Sequence, residues 1–188
     1  VLRRLLEVEN IEAVLIFVRT KVESTELAEK LQAAGFAAAA LNGDMNQSKR
    51  EKVVAALRRG DLDIVVATDV AARGIDVERI THVINYDIPC DTETYIHRIG
   101  RTGRAGRKGR ALLFVTPRER RLFKDIEREI DADITQLEAP SVKDLTEKRS
   151  QQLAETISNV LNPVQLIIPN FLTFNWYFFS NSIIKKHT

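Results

Sequence analysis

Short apolar runs alternate with longer amphipathic segments along residues 1–130 of the chain. Residues 13–18 are apolar at every position, which is typical of a strand buried on both faces of a sheet. Four further strands are predicted at 36–41, 63–67, 82–86 and 110–115, and helices between and after them at about 20–34, 47–59, 92–99 and 116–130. This order predicts βαβ crossovers and an α/β fold, a parallel sheet with helices on both faces.

Capping residues mark the ends of these helices. Thr20 followed by Glu23 has the pattern of a capping box, and Gly35 suits the left-handed residue that follows a helix. Thr116 and Glu119 repeat the capping pattern, with proline between them at the first helical position. The inner side of the first of these helices is predicted to carry Val22, Leu27, Ala28 and Leu31.

The chain changes character after about residue 135. We expect one domain at 1–135, a polar linker or helical extension at 136–160, and an atypical apolar tail at 161–188. The stretch 161–184 has no charged residue and holds six of the chain's 12 aromatic residues, but Pro163 and Pro169 interrupt it and its unbroken part is too short for a membrane span. We therefore expect no membrane partner, and a tail that is disordered or non-native.

Composition and charge narrow the class of protein. A content of 44% hydrophobic and 29% charged residues describes a soluble globular protein, and the net charge of +2 does not by itself indicate a nucleic-acid partner. Cys90 is the only cysteine, so no intrachain disulfide can form and a reducing, cytoplasmic location is expected. No His/Cys cluster has metal-ligand spacing. The chain starts without methionine or a signal-peptide pattern, which suggests a piece of a longer protein.

Candidate chemistry follows the third predicted strand. In parallel sheets ligands bind at loops that leave the carboxyl ends of the strands, and we expect all the motif loops of this chain to lie there. Thr68 and Arg73 can bind phosphates, and Asp76 can accept from a ribose hydroxyl. A structural alternative is also open: Asp69 caps the next helix, and Asp76 closes a turn.

A basic, glycine-spaced loop precedes the fifth predicted strand. Six basic residues and no acid lie between positions 98 and 110, namely Arg98, Arg101, Arg104, Arg107, Lys108 and Arg110. Arginine suits the negative charge that develops on a transferred γ-phosphoryl group, so these residues can act as arginine fingers. A simple RNA-binding loop is the alternative. The chain has no phosphate-binding Gly-x-x-x-x-Gly-Lys-Ser/Thr loop, and so it cannot hold a nucleotide by itself.

Five motifs in the same order resemble the C-terminal RecA-like domain of DEAD-box RNA helicases over about residues 1–130. They are Leu15 to Thr20, Leu41 to Met45, Gln47 with Arg50, Ala67 to Asp76, and His97 to Arg104. The whole string is most similar to the bacterial cold-shock, ribosome-assembly branch. The resemblance implies a RecA-like fold and a second motor domain that needs an N-terminal RecA-like domain of the same protein.

The resemblance also implies roles for individual residues. Arg101 and Arg104 would be the catalytic arginine fingers and, with Asp76, the ATP-binding residues. His97 and Arg98 would join a network to the missing domain, which would hold most of the Mg²⁺ coordination. RNA would be bound through its backbone, without sequence readout, by Arg19, Gly43, Asp44, Arg50, Thr68 and Arg73.

The implied function is therefore that of an ATP-dependent RNA helicase, with a chain that is inactive in hydrolysis alone. Two alternatives stay open: a non-enzymatic RNA-binding module, and an inactive truncated product.

Overall fold

The computed structural model describes residues 1–130 and 134–165 of the chain. Its elements follow the order α1 (Leu2–Val8), β1 (Val14–Phe17), α2 (Lys21–Ala33), β2 (Ala38–Leu41), α3 (Gln47–Arg59), β3 (Ile64–Ala67), α4 (Asp69–Ala72), β4 (His82–Asn85), α5 (Thr92–Ile99), β5 (Arg110–Leu113), a 3-10 turn (Pro117–Glu119), α6 (Arg120–Ile130) and α7 (Val142–Gln165). The predicted alternation of strands and helices is confirmed, although each strand is one or two residues shorter than the apolar run that predicted it.

The five strands form one parallel sheet in the order β2-β3-β1-β4-β5. The central strand β1 pairs with β3 on one side, where Val14 lies opposite Ile64, and with β4 on the other, where Val14 lies opposite His82. All five carboxyl ends therefore lie along one edge of the sheet. The connection from β3 to β4 crosses β1, which brings the residues after β3 and β4 to either side of the end of β1.

The strands are buried on both faces, as the continuous apolar runs predicted. Val14, Ile16 and Val18 pack with α1 and α2 on one face. Alternate residues of β1 pack on the other face with α3, α4 and the segment that follows α4. A third cluster joins α5 to α6 through Tyr95 and Ile126. This arrangement is the predicted sheet covered on both sides, because alternate residues of a strand point to opposite faces.

The predicted helix ends are also confirmed. Thr20 and Glu23 form a reciprocal capping box at the start of α2, and Gly35 adopts a left-handed conformation with φ of 90° just after the helix. One inward assignment was wrong, because Val22 is exposed while Ala28 and Leu31 are buried. Val22 and Leu31 are nine residues apart, about two and a half helical turns, and so they lie on opposite sides of α2.

The second unit of the chain begins at Ser141, after a first compact unit at Val1–Pro140. Its described part is α7, so the polar segment predicted to be helical is confirmed as a helix. The predicted domain boundaries at 135 and 160 stay a prediction. Of the apolar tail at 161–188, residues 166–188 lie outside the described residues. No helix within the described ranges is long and apolar enough to cross a membrane.

Candidate functional site

A buried arginine connects the loops at the carboxyl edge of the sheet. Arg98, on α5, is only 4% exposed and donates two hydrogen bonds to the carboxylate of Asp69, at 2.6 and 2.8 Å. Its remaining nitrogen donates to Asn85 Oδ1 at 3.2 Å and to the carbonyl of Asp87 at 2.7 Å. The guanidinium also lies 5.1 Å from the ring centre of Phe17. The end of β1, the ends of β3 and β4 and the helix α5 therefore meet at one side chain.

The alternative reading of Asp69 as a helix cap is wrong. Thr68 occupies the capping position of α4 without a side-chain capping bond, and Asp69 is the first residue of the helix. The carboxylate of Asp69 is directed at Arg98 because a bidentate charged pair is stronger than a single bond to a backbone amide. Asp69 thus holds α5 against the end of β3.

Asp76, Arg101 and Arg104 form a second cluster. Arg104 pairs with the Asp76 carboxylate and donates to the carbonyl of Gly100 at 3.0 Å. Arg101 donates to the carbonyl of Ile75 at 3.2 Å. Burial lowers the pKa of Arg101, the nearby charge of Arg104 lowers it further, and Asp76 opposes both effects. Two guanidiniums therefore share one exposed carboxylate, an excess of positive charge that suits an anionic ligand.

The basic loop does not lie wholly at the carboxyl edge, so that expectation was wrong. Thr102 Oγ1 donates to the carbonyl of Ile80 at 2.7 Å, and Arg107 binds the carboxylate of Glu12 at 2.9 and 3.1 Å. Arg110 pairs with Glu9 at 2.6 Å. Glu12 and Ile80 precede β1 and β4, so the loop runs from the carboxyl edge to the amino edge. The reason is topological: α5 leads back to the amino edge, where β5 must begin.

The loop is folded tightly onto itself and its neighbours. A Cβ atom added to Gly109 would lie 2.4 Å from the backbone nitrogen of Gly103. Gly103 and Gly106 have positive φ angles of 68° and 76°. The glycines therefore serve two needs that the sequence did not separate, close backbone approach at Gly109 and left-handed turns at Gly103 and Gly106.

His97 differs from its neighbour Arg98. The imidazole is exposed on the outer side of α5 and takes part in no hydrogen bond or ion pair with the residues described, and Ile96 beside it is 51% exposed. His97 and Arg98 were predicted together as members of an interdomain network. The structure separates them: the Arg98 side chain is bound inside its own domain, whereas the His97 side chain is exposed.

The residues predicted to bind RNA lie after three adjacent strands at the carboxyl edge. Arg19 follows β1 and is exposed, and its backbone amide donates to Asp87 Oδ2 at 2.8 Å. Gly43 and Asp44 follow β2 and are exposed, and Asp44 pairs with Lys21. Thr68 follows β3 and is only 8% exposed. The edge thus carries an exposed arginine, an exposed glycine with a paired carboxylate, and a largely buried threonine in one row.

Two arginines of α3 support the segment that follows α4. Arg50 donates to the carbonyl of Arg73, and Arg58 donates to the carbonyl of Asp76 at 3.1 Å. Arg73 itself is exposed. Both ends of the segment 73–76 are therefore held by one helix, and Arg58 is a supporting residue that the sequence did not reveal.

Comparison with known proteins agrees with this geometry. The family described as helicase conserved C-terminal domain matches residues 1–106. The ATP-dependent RNA helicase DeaD of Mycobacterium tuberculosis (strain CDC 1551 / Oshkosh) is 58% identical over 160 residues, which cover 85% of this chain and 28% of that protein. The E. coli DEAD-box protein SrmB, solved bound to the regulator of ribonuclease activity A, is 38% identical with a TM-score of 0.66, and the match covers 77% of this chain and 84% of that one. The chain belongs to the DEAD-box helicase C-terminal domain family.

A further similar structure is that of S. cerevisiae Dbp5 bound to RNA and ADP BeF3. It is 36% identical with a TM-score of 0.68, and the match covers 72% of this chain and 37% of that one. The match to the DeaD relative covers only 28% of that protein's length. Within residues 1–130 and 134–165, no group of three or more histidine, cysteine, aspartate or glutamate side chains is arranged to hold a metal ion.

The sequence analysis of this helicase C-terminal domain did not predict that Arg98 is buried and paired with Asp69, although the sequence contains a signal for it. In α5 the buried positions are Thr92, Tyr95 and Arg98, spaced by three. An arginine on the inner face of a helix requires an acidic partner inside the fold. Asp69 and Asp87, each at the end of a strand, were the candidates for that partner.

Proposed function

We propose that this chain is the second motor domain of an ATP-dependent RNA helicase, and that it acts by closing against an N-terminal RecA-like domain of the same protein. The observation that carries the proposal is the segment 73–76. Its first residue, Arg73, is a predicted RNA contact, and its last, Asp76, is a predicted ATP contact, while Arg50 and Arg58 hold both ends. One short, braced segment therefore links the proposed RNA surface to the proposed nucleotide surface.

The residues present suit a nucleoside triphosphate that another domain holds. Asp76 is exposed and is proposed to accept from a ribose hydroxyl, while Arg101 and Arg104 lie beside it with an excess of positive charge. Bound ATP supplies the γ-phosphoryl group that is transferred to water. This chain contributes positive charge to that transfer through Arg101 and Arg104, and Mg²⁺ is assigned mainly to the N-terminal domain.

RNA is proposed to lie along the carboxyl edge, in contact with Arg19, Gly43, Asp44, Thr68 and Arg73, with Arg50 in support. The surroundings of Gly43 favour this path. A Cβ atom there would meet nothing nearer than the end of the Lys21 side chain, at 3.6 Å, and φ is not positive. Because the fold itself does not require glycine at this position, close approach of a ligand backbone is the remaining physical reason for one.

The interdomain contact is proposed to centre on His97, whose exposed ring makes no bond within the described part of the chain. Arg98 is proposed to position α5 and not to contact the second domain itself. It fixes α5, which carries His97 at one side and leads into Arg101. A cytoplasmic location is proposed from the single exposed cysteine, Cys90, which forms no disulfide.

The finger assignment is tested in the longer protein that contains this domain. Arg101→Ala and Arg104→Ala are each expected to lower kcat for RNA-stimulated ATP hydrolysis by about 10³-fold or more, while RNA affinity changes much less. The readout is steady-state kinetics alongside RNA-binding isotherms.

Arg107→Ala is the matched control, because Arg107 lies on the same loop but pairs with Glu12 at the amino edge. Its kcat is expected to stay close to that of the unaltered protein. If all three variants kept their activity, Arg101 and Arg104 would not be fingers. The loop would then fit the alternative of a non-enzymatic RNA-binding module.

A further inference from the structure

The outer face of α6 is a basic stripe that the proposed function does not use. The inner face of the helix carries the apolar residues Leu122, Phe123, Ile126 and Ile130, which pack against α5. At 3.6 residues per turn, the side opposite that face carries Arg120, Arg121, Lys124 and Arg128. The acids at 127 and 129 fall beside this stripe, while Asp125 lies at its edge and pairs with Arg128. All four cationic side chains belong to exposed residues.

These cations have few partners in their own domain. Arg120, Arg121 and Lys124 form no ion pair or hydrogen bond with any described residue, and Arg128 reaches Asp125 only at 3.5 Å. The arginines of the 98–110 loop are all bound to their own chain, for example Arg107 to Glu12. A polyanion can therefore engage three of the four cations of the stripe, Arg120, Arg121 and Lys124, without first breaking an existing pair.

The stripe begins beside the proposed RNA surface. The 3-10 turn that leads into α6 follows β5 at the carboxyl edge, where Arg19 also lies. Arg19 is close enough to Glu119 to help lower the pKa of that carboxyl, after the larger effect of its hydrogen bonds with Thr116. Glu119 accepts hydrogen bonds from Thr116, at 2.7 and 2.8 Å, so its carboxylate is held at the turn that precedes the first cation of the stripe.

We propose that the outer face of α6 extends the RNA path, with Arg120, Arg121, Lys124 and Arg128 binding phosphates of the single strand that leaves the carboxyl edge. The proposal rests on the RNA-binding role proposed above and adds a second stretch of contact to it. Contacts of this kind are independent of base sequence, and each one releases counterions. Binding should therefore become less dependent on salt when a contact is removed.

The test measures affinity of the full chain for a fluorescent single-stranded oligouridylate between about 50 and 200 mM salt. For single strands each phosphate contact contributes about 0.7 to the slope of log K against log salt. The double variant Arg121→Gln/Lys124→Gln is expected to weaken binding and to lower that slope by about 1.4, twice this value. Lys124→Gln alone should lower it by about 0.7.

Lys108→Gln is the matched control, since Lys108 is also an exposed lysine with no ion pair among the described residues. It precedes β5 at the amino edge, and its substitution should leave affinity and slope unchanged. Circular dichroism and Tm confirm that each variant is folded. Arg19→Gln, in the proposed RNA surface itself, should weaken binding independently of α6.

The outcomes separate this proposal from the one on which it rests. If the α6 variants bind as the unaltered chain does while Arg19→Gln binds less, the RNA surface stands and the extension over α6 is wrong. In that case the stripe would be a candidate binding site for a protein with an acidic surface. An equal loss for Lys108→Gln would show that only overall charge matters, and would also overturn the proposal. If the unaltered chain bound no RNA even at the lowest salt, both proposals would fail.

Discussion

Arg98 shows how one residue can tie together loops that are distant in sequence. Its guanidinium donates four hydrogen bonds to Asp69, Asn85 and Asp87, and lies near the ring of Phe17. Lysine offers a single charged nitrogen and no planar fork, and so it cannot make the same set of contacts. The basic pattern from 97 to 104 therefore mixes residues of different kinds, a buried tie at Arg98 and partly exposed cations at Arg101 and Arg104.

Removal of the acidic partner should be costly. Asp69→Asn leaves the buried guanidinium of Arg98 without a full counter-charge, and we expect the free energy of unfolding to fall by about 2–3 kcal/mol. The measurement is urea denaturation followed by circular dichroism. Asp61→Asn is the control, because its pair with Arg59 is exposed on both sides and should contribute at most about 1 kcal/mol. Equal effects of the two substitutions would argue against a tie at Arg98.

The elements themselves were largely predictable because their signals are local. Strand β1 was visible as an apolar run, and the cap at Thr20 and the stop at Gly35 were visible as single residues. Helix α1 was missed, although Leu2, Leu5 and Leu6 have helical spacing, because Val1 offers no capping side chain. The order of the strands could not be predicted, since a crossover sequence does not state over which neighbour it passes.

The amino end of β4 carries a pH-sensitive contact. His82 is 6% exposed, and its Nδ1 lies 2.8 Å from Thr81 Oγ1. Burial lowers the pKa of His82 from 6.5; the carboxylate of Glu9 works against that effect, and Arg110 adds to it. The folded chain therefore resists protonation of this imidazole more than the unfolded chain does.

The direction of the pH effect follows from that shift. Well above pH 6.5 the imidazole is neutral in both states, and its full contribution to stability is present. Below that pH the unfolded chain takes up the proton first, so the free energy of unfolding should fall until the pH passes the lower folded pKa. His82→Asn should make this fall smaller, as measured by urea denaturation at a series of pH values. Parallel curves for the two proteins below pH 6.5 would contradict the assignment.

At the scale of the whole molecule, the two edges of the sheet differ in how their charged side chains are paired. The amino edge is closed by structural pairs such as Arg107 with Glu12 and Arg110 with Glu9. The carboxyl edge presents exposed or lightly paired groups, Arg19 and Asp76 among them. The sequence predicted the parallel sheet but placed the whole basic loop at its carboxyl edge. The basic loop runs to the amino edge because it packs against the segment 75–81, and no local sequence pattern predicts that packing.

The last prediction concerns the need for a second domain in ATP hydrolysis. We expect the chain alone to show no RNA-stimulated ATP hydrolysis, because it has no phosphate-binding loop. Addition of a separately produced N-terminal RecA-like domain of a DeaD relative should restore hydrolysis, measured as phosphate release with and without RNA. The restored rate should depend on the concentration of both parts, since nothing tethers them.

The control for that mixture is the Arg101→Ala chain, which keeps the same fold and should give at least about 10³-fold less hydrolysis. A chain that binds RNA but never restores hydrolysis would favour the RNA-binding module, because the contacts proposed for Arg19 and Arg73 do not need a nucleotide. A chain that neither binds RNA nor restores hydrolysis would favour an inactive product. Hydrolysis by the chain alone, if Arg101→Ala abolished it, would mean that a complete nucleotide site lies within these 188 residues and that the second domain is not required.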